Sequence, residues 1–245
     1  MPSEPRFSVV IPAYNEQAYL PRLLASLEAA SRNFDRGTRA VEIIVADNAS
    51  TDATAEIARN RGCLVVPVAK RLIAAARNGG ARAARGEILC FVDADMQVHR
   101  GTFGAIETAI NTGRFIAGAT GVRPERWSAG IAVTWALLLP GVRLLGLDTG
   151  VVFCRREDYA AVGGYREDRL CAEDVDFLLA LKRLGRPLGR GFIRLRSVEA
   201  VMSTRKFDKH GDWHQVPAMV RMAWNHAFAR ARFEREARTY WYEDR

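Results

Sequence analysis

Short apolar runs alternate with stretches of helical spacing along the first hundred residues. Phe7-Ser-Val-Val-Ile11 is apolar and stops at Pro12. From about Ala18 to Ala30, Leu20, Leu23, Leu24 and Leu27 fall on one helical face. Val41-Glu-Ile-Ile-Val-Ala46 reads as a second strand ending at Asp47, and Cys63-Leu-Val-Val66 as a third. Asn48-Ala-Ser-Thr-Asp52 is a turn whose Asp52 can N-cap a helix running to Gly62. An Ala- and Arg-rich helix is predicted from Ile73 to Arg85, stopped by Gly86. The fourth strand, within Glu87-Ile-Leu-Cys-Phe-Val-Asp-Ala-Asp95, ends at Asp93. Strands separated by single helices predict an α/β fold with a mostly parallel central sheet and helices on both faces.

Beyond residue 100 the alternation is less regular. Ile131 to Leu147 is the most apolar stretch, but it has 17 residues and contains Pro140, Gly141 and Arg143. A bilayer-spanning helix needs about 20 apolar residues. The expectation is a buried core element, with a membrane-docking surface as the rival. Gln215 to Arg238 reads as a helix with apolar positions at Val220, Met222, Ala223, Trp224, Ala227 and Phe228, packed on the core or lying along a membrane.

Composition adds little to this pattern. An apolar share of 49% and a charged share of 26% over 245 residues are ordinary for a globular chain able to bury one good core. The net charge of +8 suits an acidic partner such as a nucleotide, a nucleic acid or an anionic membrane face. Cys63, Cys90, Cys154 and Cys171 show no metal-type pairing, which points to free thiols in a reducing compartment. The opening Met-Pro-Ser-Glu-Pro-Arg has no apolar signal region, so a cytoplasmic location is expected, or a peripheral one at the inner face of the membrane.

The chemistry gathers at strand ends. Pro12-Ala-Tyr-Asn-Glu16 follows the first strand, Asp47 ends the second, and Asp93 and Asp95 end the fourth. In a parallel sheet these ends share the carboxyl edge, where open α/β sheets bind ligands. Two carboxylates two residues apart can hold one hard cation there, and the cation can hold a diphosphate. A basic helix face explains Arg77, Arg82 and Arg85 as well as a reach by Arg77 into the crevice does.

The runs Val9-Val-Ile-Pro-Ala-Tyr-Asn-Glu16, Val45-Ala-Asp-Asn-Ala-Ser-Thr-Asp52, Ala76-Arg-Asn-Gly-Gly80 and Phe91-Val-Asp-Ala-Asp95 resemble family 2 glycosyltransferases of the GT-A fold, a Rossmann-like nucleotide-diphospho-sugar transferase architecture. So do Val162-Gly-Gly-Tyr-Arg166 and Ala172-Glu-Asp-Val-Asp176, in the family's order. The resemblance implies a single domain over 1–245, with a donor half at 1–100, an acceptor half at 101–200 and a closing segment and helix at 201–245. It implies that Pro12, Ala13, Tyr14 and Glu16 hold the nucleoside, that Asp47 reads the base, and that Arg77, Asp93 and Ala94 line the nucleotide-sugar site. Asp93 and Asp95 then hold magnesium or manganese. The run Asp-Ala-Asp-Met-Gln resembles that of dolichyl-phosphate mannose synthases and adds Gln97 to the metal shell, and His210 is a further candidate ligand.

Gly163, Gly164, Tyr165 and Glu173 match the family's acceptor side, and Asp174 matches its base. A helix N-terminus stabilises an anion, so that position would not by itself raise the affinity of Asp174 for a proton. The implied reaction is an inverting, in-line transfer from a UDP- or GDP-linked sugar to a hydroxyl, in cell-surface polysaccharide or glycolipid synthesis. Arg205, Lys206 or His210 is expected to close over the diphosphate. A polyprenyl-phosphate acceptor is the alternative, although such a phosphate is already nucleophilic and needs no base. A sugar-phosphate nucleotidyltransferase would show a Gly-rich basic loop where Pro-Ala-Tyr-Asn-Glu stands. No nucleic-acid partner is expected, because no motif interleaves basic and aromatic residues in a known pattern.

Overall fold

The computed structural model describes residues 4–145, 150–168, 173–217 and 219, with 139–145 as backbone only. Cys171 and most of the helix expected at 215–238 lie outside the described residues. Eight strands occur among the described residues: β1 (Phe7–Ala13), β2 (Val41–Asp47), β3 (Leu64–Pro67), β4 (Ile88–Phe91), β5 (Met96–Gln97), β6 (Phe115–Pro124), β7 (Val152–Arg155) and β8 (Gly191–Met202). They form one sheet in the order β3-β2-β1-β4-β7-β6-β8-β5. β1 to β4 pair in parallel, β6 runs parallel to β8, and β5 and β7 oppose their neighbours.

The helices are α1 (Leu20–Arg32), α2 (Thr54–Asn60), α3 (Ile73–Ala83), α4 (Thr102–Asn111), α5 (Ala129–Leu145), α6 (Arg156–Ala161), α7 (Glu173–Gly185) and α8 (Arg205–His210). Side chains alternate across β1, as a strand requires. Phe7, Val9 and Ile11 join the α1 leucines and Phe103 and Ile106 of α4 in one core. Val10 joins Ile44, Phe91 and the α7 residues Phe177, Leu178 and Leu181 in the other. Helices thus cover both faces, as the sequence pattern predicts. Cys90 and Cys154 are free thiols buried in these two cores.

Pro12 does not stop β1 where the apolar run stops. It lies inside the strand opposite Ala46 of β2. Its effect falls on the other neighbour. The amide of Val92 donates to Val10 O at 3.2 Å, and the next rung of that parallel ladder would need an N–H at residue 12. Proline has none. Pairing with β4 therefore ends at Phe91, two residues before Asp93, and the chain carrying Asp93 and Asp95 is released from the sheet.

The Arg77-Asn-Gly-Gly80 run sets how deep α3 sits. A Cβ at Gly79 would come within 2.6 Å of Val68 Cγ2, and one at Gly80 would collide with Val10 Cγ1. The two glycines let the helix backbone touch the sheet, and this carries Arg77 and Asn78 down to the cleft floor. Gly80→Ala is expected to destabilise the fold by about 1–3 kcal/mol through overpacking, and the loss to be smaller in a Val10→Ala background. A urea-unfolding double-mutant cycle measures both; additive effects would exclude the close contact as the cause.

Candidate functional site

Two loops interlock at the carboxyl edge of β1 and β2. Asn48 N donates to Ala13 O at 2.8 Å. The amides of Asn15, Glu16 and Gln17 donate to Ser50 Oγ, Thr54 Oγ1 and Asp52 Oδ2, at 3.1, 2.8 and 3.1 Å. Asn15 returns the link by accepting from the amide of Thr51 at 2.9 Å, and its own φ is 52°. These bonds fix Pro12, Ala13, Tyr14 and Glu16 against the turn that follows Asp47. Asp47 pairs in register with Ala13 and Pro67, and its carboxylate accepts from Ser50 N at 3.1 Å. The start of α2 is served by Asp52, which accepts from Thr54 N at 2.9 Å. The Arg71 guanidinium lies 4.1 Å from the centre of the Tyr14 ring, a cation–π contact no motif announced.

Two arginines meet the acidic residues at this edge. Arg205, at the start of α8, donates two bonds to Glu16, at 2.7 and 2.9 Å, and lies 3.0 Å from Asp95. Glu16 is 2% exposed. Arg77, itself 5% exposed, reaches three carboxylates. Its Nη2 donates to Asp93 at 2.9 Å, and its Nη1 to Asp174 at 2.5 Å and to Glu173 at 3.1 Å. It is not part of a solvated basic face. Ala94, between the two aspartates, is buried in the core.

The acceptor-side residues are assembled from beneath by Asn78. Its Nδ2 donates to Tyr165 O at 2.8 Å, and its Oδ1 accepts from Tyr165 N at 2.9 Å and Tyr159 Oη at 2.6 Å. Gly163 and Gly164 adopt φ of 77° and 73°, and a Cβ at Gly164 would fall 2.9 Å from Asn78 Oδ1. The Tyr165 ring is buried, stacked on Phe177 at 4.2 Å between centroids, with the Arg77 guanidinium 5.1 Å above it.

Asp174 stands in the first turn of α7. Burial pushes its carboxyl up to about 7; Arg77 opposes the rise, while Glu173 and Asp93 add to it. The helix terminus favours the anion but is outweighed by lost hydration, with 29% of the side chain still accessible.

Between them Arg77 and Arg205 pair with Glu16, Asp93, Asp95, Glu173 and Asp174. Asp93, 49% exposed, and Asp95 offer hard oxygen ligands at the cleft, so the residues fit a divalent cation. Among the described residues no three His, Cys, Asp or Glu side chains are already arranged as a metal cluster. Gln97 pairs with Val201 across β5 and β8. His210 is exposed at the end of α8, its ring 5.4 Å from that of His214.

Arg205→Ala removes the guanidinium that donates two bonds to buried Glu16 and is expected to destabilise the fold by about 3 kcal/mol. Adding Glu16→Gln is expected to recover most of the loss. Urea unfolding of the single and double variants checks this; a double variant no better than the single would rule out the lost pairing with Glu16 as the cause.

With this geometry in view, a family model described as glycosyl transferase family 2 matches residues 8–141. The undecaprenyl-phosphate 4-deoxy-4-formamido-L-arabinose transferase of Pseudomonas paraeruginosa is 42% identical over 102 residues, which is 37% of this chain and 28% of that protein's length. Staphylococcus aureus TarS 1–349 in complex with UDP-GlcNAc superposes with a TM-score of 0.64 at 21% identity, covering 81% of this chain and 58% of that one. Glucosyl-3-phosphoglycerate synthase from Mycobacterium tuberculosis, solved with Mn2+, UDP and phosphoglyceric acid, gives 0.61 at 21% identity, with 86% and 75% covered. These likenesses agree with the mixed α/β sheet described above.

Proposed function

The chain belongs to glycosyl transferase family 2, and from that membership we propose that it transfers a sugar, with inversion, from a nucleotide-diphosphate donor to an acceptor hydroxyl. The observation that carries this reading is the pairing of Asp93 and Asp174 to one buried guanidinium at the cleft edge of the sheet. It sets a donor-side carboxylate and an acceptor-side carboxylate within one side chain's span.

On this reading the donor half is 1–100. Pro12, Ala13, Tyr14 and Glu16 hold the nucleoside, Asp47 accepts from a base N–H, and the Tyr14 ring stacks on the base. The nucleoside is uridine or guanosine, since one structural neighbour was solved with UDP-GlcNAc and another, a mannosyltransferase from Pyrobaculum calidifontis, with GDP-Man and Mn2+. A divalent magnesium or manganese held by Asp93 and Asp95, with Gln97 beside them, would neutralise charge on the departing nucleotide. Asp174 takes the proton from the acceptor hydroxyl, and the oxygen attacks the anomeric carbon from the face opposite the diphosphate. A carboxyl raised to about 7 suits this task, being basic enough to accept a proton and partly ionised near neutrality.

Nucleotide release from a panel of UDP and GDP sugars, with and without manganese, tests the reading. Asp174→Asn is expected to lower transfer by about 10²- to 10⁴-fold while leaving UDP binding within a few-fold. The rate is expected to rise with pH through about 7, because the working form of Asp174 is the anion and its folded-state proton affinity is raised. EDTA is expected to abolish turnover. A fully active Asp174→Asn protein would remove Asp174 as base, and an EDTA-insensitive rate would remove the metal.

A lipid-phosphate acceptor is favoured by one observation besides the Pseudomonas relative. Of the stretch 131–147 expected to be core, Ile131 and Thr134 are buried, while Val133, Leu137 and Leu138 are 38, 55 and 45% exposed. Gly130, at the start of the helix, packs against Asp212. Trp127 and Trp213, both more than half exposed, flank it. No described helix is long and apolar enough to cross a membrane, yet this face has the composition of an interfacial one. Co-flotation with phosphatidylglycerol vesicles that is lost in Leu137→Glu is expected; absence of wild-type flotation would end the docking idea. Retention of transfer to a polyprenyl phosphate by Asp174→Asn would favour that acceptor over a hydroxyl.

A further inference from the structure

Arg77 is the most heavily engaged side chain of the cleft floor, and it does not lie on the nucleoside loops. We propose that Arg77 is a positioning residue that fixes the acceptor-side Asp174 relative to the donor-side Asp93, so that the transfer step depends on one guanidinium holding an acid 97 residues along the chain from itself. The proposal rests on the glycosyltransferase reading above and adds to it how the base is held.

The two Nη atoms divide the work. Nη2 faces Asp93, and Nη1 faces Asp174 and Glu173. A guanidinium is planar, so holding one Nη on Asp93 restricts where the other can hold Asp174. Its plane is in turn restricted by the Tyr165 ring, and Tyr165 is bound through both backbone atoms to Asn78, the neighbour of Arg77 on α3. The chain of support closes on itself. Arg77 orients Asp174, Asn78 orients the ring under Arg77, and Gly79 and Gly80 set the height of both. Arg77 Nε is buried and has no hydrogen-bond partner, so the contacts that hold this side chain are made by its two Nη atoms. A lysine ammonium, a single point charge, cannot span the same carboxylates in fixed directions.

The test uses the full chain and the nucleotide sugar that gives the highest turnover with wild type. Arg77→Lys is expected to lower kcat by about 100-fold, the scale of a misplaced reacting group. Calorimetric affinity for UDP with Mn2+ is expected to stay within about fivefold, because the uridine loops are intact. Guanidinium chloride at sub-denaturing concentration is expected to restore part of the kcat of Arg77→Ala, and methylammonium to restore none. If Arg77→Ala fails to fold, the Arg77→Gln/Glu173→Gln variant, which removes a carboxylate along with the cation, replaces it. An Arg77→Lys kcat within about threefold of wild type overturns the proposal. So does a loss of UDP affinity equal to the loss of kcat, which would make Arg77 a donor-binding residue instead. Wild-type protein without turnover on any donor overturns the glycosyltransferase reading and the proposal with it, a result that no Arg77 variant can mimic.

Discussion

Three carboxylates share one buried cation, and most of the cleft follows from that constraint. A guanidinium at 5% exposure has lost nearly all its hydration, and only well-directed acidic partners offset the loss. Asp93, Glu173 and Asp174 supply them, from two distant parts of the sequence. The contact needs α3 seated deep on the sheet, and α3 is seated deep because residues 79 and 80 lack side chains. Sequence, packing and electrostatics thus meet in four consecutive residues, with Arg77 and Asn78 pointing to the acceptor side and two glycines touching β1 and its flank.

The same crowding of acids shapes the chemistry. Asp174 would be an ordinary, weakly basic carboxylate in water. Burial, with Glu173 and Asp93 adding to it, makes it hold its proton to near neutrality, while Arg77 keeps the ionised form within reach. Nearby, Glu16 and Asp95 are served by Arg205. Two guanidiniums thus hold five acids together at one edge of the sheet.

Much of this was legible in the sequence because strand ends are written in residue types. Apolar runs closing on Asp47 and Asp93 located the sheet edge, and the alternation of strands with helices gave the parallel first half. The glycines at 163 and 164 marked backbone that only glycine adopts with ease. What escaped was long-range. The resemblance singled out Arg77 through its Arg-Asn-Gly-Gly run, but residue type alone does not distinguish it from Arg82 and Arg85, since two of its three carboxylate partners lie about a hundred residues away. Pro12 was read as a strand terminator, yet in a sheet it silences one neighbour while pairing with the other. For α5, composition left a core element and a docking surface both open, because it counts apolar residues without saying whether anything packs on them. Arg71 above Tyr14 carried no motif at all.

The reach of Arg205 redraws the boundary of the smallest unit that can work. The match to the family model ends at residue 141, and a fragment cut there would keep every loop around Glu16. It would also lose β8, α7 and the guanidinium that sits on Glu16 from 189 positions away. The acid left behind would lose both of the hydrogen bonds that Arg205 donates to it. Homology marks where resemblance fades; the ionic clasp between residues 16 and 205 marks where autonomy begins.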